Sequence, residues 1–95
     1  MLKGAWHLMK VVVDRLNGTL SITLAGGPAA RRVEVGRDVT AELDRFGRLQ
    51  KLDILNPLSP GIRRNILPRL AAQFHVPSLA HLDPTTLLGQ AARNN

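Results

Sequence analysis

The stretch ELDRFGRLQKLDIL, residues 42–55, gathers three acids, Glu42, Asp44 and Asp53, around one glycine. Two carboxylates in unlike surroundings can divide general-acid and general-base work, so this is the first place to look for chemistry. The residue order argues for a plainer reading. If the chain reverses around Phe46-Gly47, Val39 meets Ile54, Ala41 meets Leu52 and Glu42 meets Lys51, so the apolar pairs turn inward. Glu42 and Asp53 then face water beside basic side chains, in similar surroundings, and read as a solvated strand face. The histidines His7, His75 and His81 share no helical i,i+3 or i,i+4 spacing and have no cysteine beside them, so no metal centre is expected. Ser21, Ser59 and Ser78 sit in no strand-to-helix nucleophile elbow. AGGPAA, residues 25–30, lacks the Gly-Lys-Ser/Thr ending of a phosphate loop and reads as a turn. No catalytic residue, cofactor or metal is expected from these patterns.

Arginine is the remaining chemistry. Arg31 and Arg32 precede the valines of RRVEV, and Arg63, Arg64 and Arg69 fall in the first turns of a helical tail. These five are the candidates for contact with a nucleic-acid backbone or a protein partner, if the tail lies beside that strand. The chain carries a formal charge of +6, with nine basic and six acidic residues in 1–55 and four and one in 56–95. Such a charge attracts phosphate whether or not binding it is the role. Trp6, Phe46 and Phe74 are the only aromatic residues, too few for a base-stacking platform.

The elements that hold these residues are legible in outline. KVVVDRLNGTLSITL reads as a hairpin, with Asn17-Gly18 as a two-residue turn that would pair Val13 with Ile22 and Val11 with Leu24. RRVEV alternates as a third strand, and Gly36-Arg37-Asp38 turns it into the hairpin of residues 39–55. After Leu55 the alternation gives way to leucine and alanine at helical spacing, punctuated by prolines. Ser59-Pro60 reads as a cap and first turn. Asn65 is placed to cap a helix from Ile66 to His75, with Pro68 in its first turn and His75 favourable to its dipole. Asp83-Pro84 repeats the cap-and-proline start for a last helix reaching Arg93. Ile66, Leu67, Leu70, Ala71 and Phe74 make the apolar stripe that should cover the sheet.

Together, DRLNGTLSITL and ELDRFGRLQKLDIL resemble the paired motifs of a bacterial domain-of-unknown-function family of very small proteins. That pattern runs Tyr-Asp, three residues, Asp, one residue, Leu-Tyr-Ile, then Asp-x-Asp-x-x-Gly-x-x-x-Gly-Ile-Glu-Ile-Leu. Asp14, Leu20 and Ile22 match its first part, and Asp44, Gly47, Ile54 and Leu55 its second. Val13 and Ser21 stand where the family has tyrosines, Gly18 replaces its middle aspartate, and Lys51 its second glycine. The resemblance spans residues 10–55. It implies a β-rich module, and some members resemble one half of a toxin and antitoxin pair, which implies a small protein partner. It also implies that Met9 could be a start and that residues 1–8 are an N-terminal extension.

The expectation is therefore one α+β domain over residues 1–95. Residues 10–55 would form an antiparallel sheet of about five strands, two hairpins plus a linking strand, and residues 56–95 would supply two or three short helices on one face. Its expected role is a non-catalytic interaction module that self-associates as a homodimer or higher oligomer. The alternative is a basic nucleic-acid-binding or antitoxin-like regulator acting through the five arginines. With no cysteine and no apolar run of signal or membrane-spanning length, a cytoplasmic, membrane-free setting is expected.

Overall fold

The structure, a computed structural model, describes residues 9–93, so the readings of His7, Trp6 and the extension before Met9 lie outside the described residues. Five strands form one antiparallel sheet: β1 Lys10–Asp14, β2 Thr19–Thr23, β3 Arg31–Gly36, β4 Val39–Leu43 and β5 Leu49–Ile54. Their spatial order is β1-β2-β5-β4-β3, so the first hairpin docks on the last strand of the second and leaves β1 and β3 at the edges. Helical residues follow: a π-helical turn, Ile62–Ile66, runs directly into α1, Leu67–Gln73; then come a 3-10 turn, Pro77–His81, and α2, Pro84–Arg93. The cover is thinner than two or three regular helices, because much of the tail is π-helical or 3-10 in form.

The alternation of apolar residues decides which face is covered. Leu20, Ile22, Val39, Ala41, Leu52 and Ile54 point to one side and are fully buried against Ile62, Leu67, Leu70, Ala71 and Leu79 of the tail. Each such leucine or isoleucine contributes roughly 1.5–3 kcal/mol by leaving water. The expected stripe is the covering surface, with Leu67, Leu70 and Ala71 buried and Ile66 and Phe74 packed at its margin.

In the β4–β5 hairpin Val39 pairs with Ile54, Ala41 with Leu52 and Glu42 with Lys51, as the residue order predicts. Below these pairs Leu43 meets Leu49, so Gln50 is an extra residue and a bulge. The bulge explains how Leu49, one parity off from Leu52, is buried as well. The first hairpin differs from expectation. Val13 pairs with Leu20 and Val11 with Ile22, which leaves a four-residue loop, Arg15 to Gly18, in place of a two-residue Asn-Gly turn. Asp14 is the reason. Its carboxylate accepts the backbone N–H of Leu16 at 3.1 Å, that of Asn17 at 3.2 Å and the Asn17 side-chain amide at 2.8 Å. Those bonds stabilise the longer loop, and Gly18 supplies its positive φ of 68°. Because the slip is two residues, every side chain keeps its face.

Asn65 does not cap a helix; it lies inside the π-helical turn, which already continues from Pro60. His75 lies two residues beyond Gln73, just past the cap residue Phe74, at φ 58°, and Val76 donates its N–H to the Ala71 carbonyl at 2.9 Å. That is the Schellman stop, with histidine in the left-handed position usually given to glycine. The Asp83-Pro84 start is as expected: Asp83 accepts the Thr85 N–H at 3.1 Å and the Thr86 hydroxyl at 3.1 Å.

Candidate interaction surfaces

The uncovered face of the sheet carries the acids that prompted a catalytic reading. Arg32 of β3 reaches across β4, donating to Glu42 at 3.2 Å and lying 3.6 Å from Asp53, and Lys51 is 3.9 Å from the same Asp53. Both carboxylates are thus held by cations on neighbouring strands. The third acid, Asp44, faces into its own turn. It accepts the backbone N–H groups of Phe46 and Arg48 at 2.8 and 2.9 Å and the Arg48 Nε at 2.9 Å. The Arg48 backbone bond, with those from Phe46 and the Arg48 side chain, holds its carboxyl below the ordinary value near 3.8. Asp14 is lowered in the same way, chiefly by the Asn17 amide. At Asp83 the largest influence, partial desolvation, pushes upward, but the Thr86 hydroxyl, the Arg63 charge and the Thr86 and Thr85 backbone N–H groups together bring it below its ordinary value. Among the described residues no group of three His, Asp or Glu side chains could hold a metal ion.

The five candidate arginines do not form one stripe. Arg32 lies on the open face, opposite the helical tail, and is occupied by Glu42 and Asp53. Arg31 begins β3 at the other parity, across from Leu43. Arg63 sits 3.8 Å from Asp83 and ties the π-helical turn to the start of α2. Arg64 is exposed and makes no ion pair among the described residues. Arg69 donates through its guanidinium to the Val35 carbonyl. Val35 is the extra residue of a bulge where the pairing slips between Glu34 and Gly36. The approach is close: a Cβ on Gly36 would lie 2.8 Å from Ile66 Cδ1 and 3.4 Å from the Arg69 guanidinium. A side chain at 36 would require the end of Ile66 to move aside.

Two features were not singled out by residue type. One is the tip of the β4–β5 hairpin. Phe46 is 67% exposed, with the guanidinium groups of Arg45 and Arg48 4.9 and 5.0 Å from its ring centre. Beside it an open groove of about 700 Å³ is lined by the Ala25 to Ala30 loop, which is anchored where Leu24 and Ala25 donate to the carbonyl of the bulged Gln50 at 2.7 and 3.3 Å.

The other is a difference between the two sheet edges. β3 is guarded by Arg31, Arg32, Glu34, the bulge at Val35 and the Arg69 cap on its carbonyl. β1 is regular over its pairing with β2, reads Lys-Val-Val-Val-Asp, and has neither proline nor bulge. Its central Val12 points to the open face and is 46% exposed, while Val11 and Val13 on the covered face are only partly buried. Among the described residues β1 is the less guarded edge: it is short, bears Lys10 and Asp14 at its ends and is approached by α2, but it has no bulge, no proline and no capped carbonyl. The signal was in the sequence as an uninterrupted valine triplet, legible only once β1 is known to be an edge.

No protein-family model, curated protein or solved structure matches this chain. Among the described residues no helix is long and apolar enough to cross a membrane.

Proposed function

We propose that the protein is a small, non-catalytic interaction module that associates with itself through its sheet. The β1 edge, the less guarded of the two among the described residues, carries this reading. A row of unpaired backbone groups flanked by valines is a template for another strand, and main-chain pairing needs no catalytic or cofactor chemistry. The acids support the same conclusion, since each of Glu42, Asp53, Asp44 and Asp14 is already engaged in an ion pair or a turn. The resemblance over residues 10–55 points in a similar direction through its implied protein partner.

A regulator that grips nucleic acid through Arg31, Arg32, Arg63, Arg64 and Arg69 gains no support from their arrangement, which divides them between two faces and commits Arg32, Arg63 and Arg69 to other contacts. A five-residue edge buries less than the usual 1,200–2,000 Å² of a stable interface, so the expected affinity is micromolar. Native mass measurement across micromolar concentrations should show a monomer giving way to a dimer. A strict monomer throughout that range removes the proposal.

A further inference from the structure

Resting on self-association through β1, we infer the register of the contact: two copies of β1 pair antiparallel about a two-fold axis at Val12. The strand has five residues with valine at its centre, a cation at its first position and an acid at its last. Antiparallel pairing centred on Val12 sets each Lys10 opposite the second copy's Asp14, Val11 opposite Val13, and Val12 opposite itself.

Each of these meetings is complementary. In β1 alternate side chains share a face, so Lys10, Val12 and Asp14 lie on the open side and Val11 and Val13 on the covered side. The charged pairs therefore form at the two ends of the open face, where Lys10 and Asp14 are both exposed and Lys10 has no ion-pair partner among the described residues. Asp14 keeps its turn bonds and still presents an ionised carboxylate, since the Asn17 amide holds its pKa low. The covered-side valines, half-buried in one copy, gain cross-strand partners of their own kind.

Other registers lose these matches. A slip of one residue in pairing offset would oppose lysine to valine and put covered-side valines across from open-side positions. A parallel arrangement would set Lys10 against Lys10 and Asp14 against Asp14, two like-charge pairs. Pairing β1 with β3 of a second copy would meet the bulge and Arg69. The two-fold arrangement is the one in which every opposed pair is apolar with apolar or opposite in charge. It joins two five-stranded sheets into one of ten strands.

The test uses the full chain, which has no native cysteine to confuse it. Val12→Cys should crosslink to a covalent dimer with a short bifunctional maleimide, because residue 12 meets itself, whereas Glu34→Cys on β3 should stay monomeric. Lys10→Glu places two acid pairs in the interface and should weaken dimerisation roughly tenfold with the fold retained by circular dichroism, and low salt should widen the gap. Val12→Lys should abolish the dimer. If the native protein is a monomer, the reading of self-association fails and the register with it. If it is a dimer that crosslinks at residue 34 and not at 12, or that is indifferent to Lys10→Glu, self-association stands and this register is overturned.

Discussion

Asp44 is satisfied three times over by its own turn, through two backbone N–H groups and the Arg48 side chain. Its consequence is for stability against pH. A carboxyl whose folded pKa lies below its unfolded value stabilises the fold above that unfolded value and loses its contribution as pH falls through the folded one. Asp14, Asp44 and Asp83 are all lowered from about 3.8, so their contribution should fade in the acid range beneath it. Thermal melts from about pH 5 down to about pH 2 should show falling stability, and Asp44→Asn, which keeps one acceptor and drops the charge, should flatten that slope. An unchanged slope would mean that the turn holds without the ionised carboxylate. The same residues explain what could be read beforehand. Asn17-Gly18 is a strong two-residue turn signal, but Asp14, three residues before Asn17, offers an acceptor for two backbone N–H groups, and the longer loop satisfies more donors. His75 at positive φ was not legible, because nothing local distinguishes a histidine that ends a helix from one that finishes it.

At the scale of elements, legibility followed the range of the interaction. The β4–β5 register follows from residues a few positions apart, since only one pairing puts Val39, Ala41, Leu52 and Ile54 on the same side. The Arg69 contact depends on a partner 34 residues away, and the Gln50 bulge and the π-helical turn, though local, fall on residues that look ordinary when read along the chain. Arg69, one of the five arginines named for a possible nucleic-acid or partner contact, donates to a carbonyl on β3, a structural contact that its exposure alone does not announce. Arg69→Met keeps the stem and removes the donor, and should cost roughly 1 kcal/mol in chemical denaturation, a typical net value for one hydrogen bond. A variant as stable as the parent would show that water replaces the guanidinium at Val35 without loss.

For the whole molecule, the division into a covered face, a charged open face and two unlike edges sets how the chain meets others. The open face is laced by Arg32, Glu42, Lys51 and Asp53, whose charges are matched within the sheet and leave little to attract a second surface. If β1 is where copies meet, unfolding becomes linked to concentration, because a dimer binds the folded state and not the unfolded chain. The melting temperature should then rise as protein concentration is raised through the micromolar range, and Val12→Lys should be insensitive to dilution. Concentration independence in the native chain would contradict the association.

The unlike edges also determine where assembly ends. A sheet with two open margins can add copies without limit, as cross-β fibres do, because each addition leaves a fresh margin exposed. If copies join at β1 as proposed, that union would use up this margin of both copies, and what would remain outermost on either side is β3, with its bulge, its charges and the Arg69 lid. Under that proposal the guanidinium on the Val35 carbonyl would act as a chain terminator for polymerisation, at a distance from the surface where copies join. Removing it should show first as light scattering from slowly growing filaments.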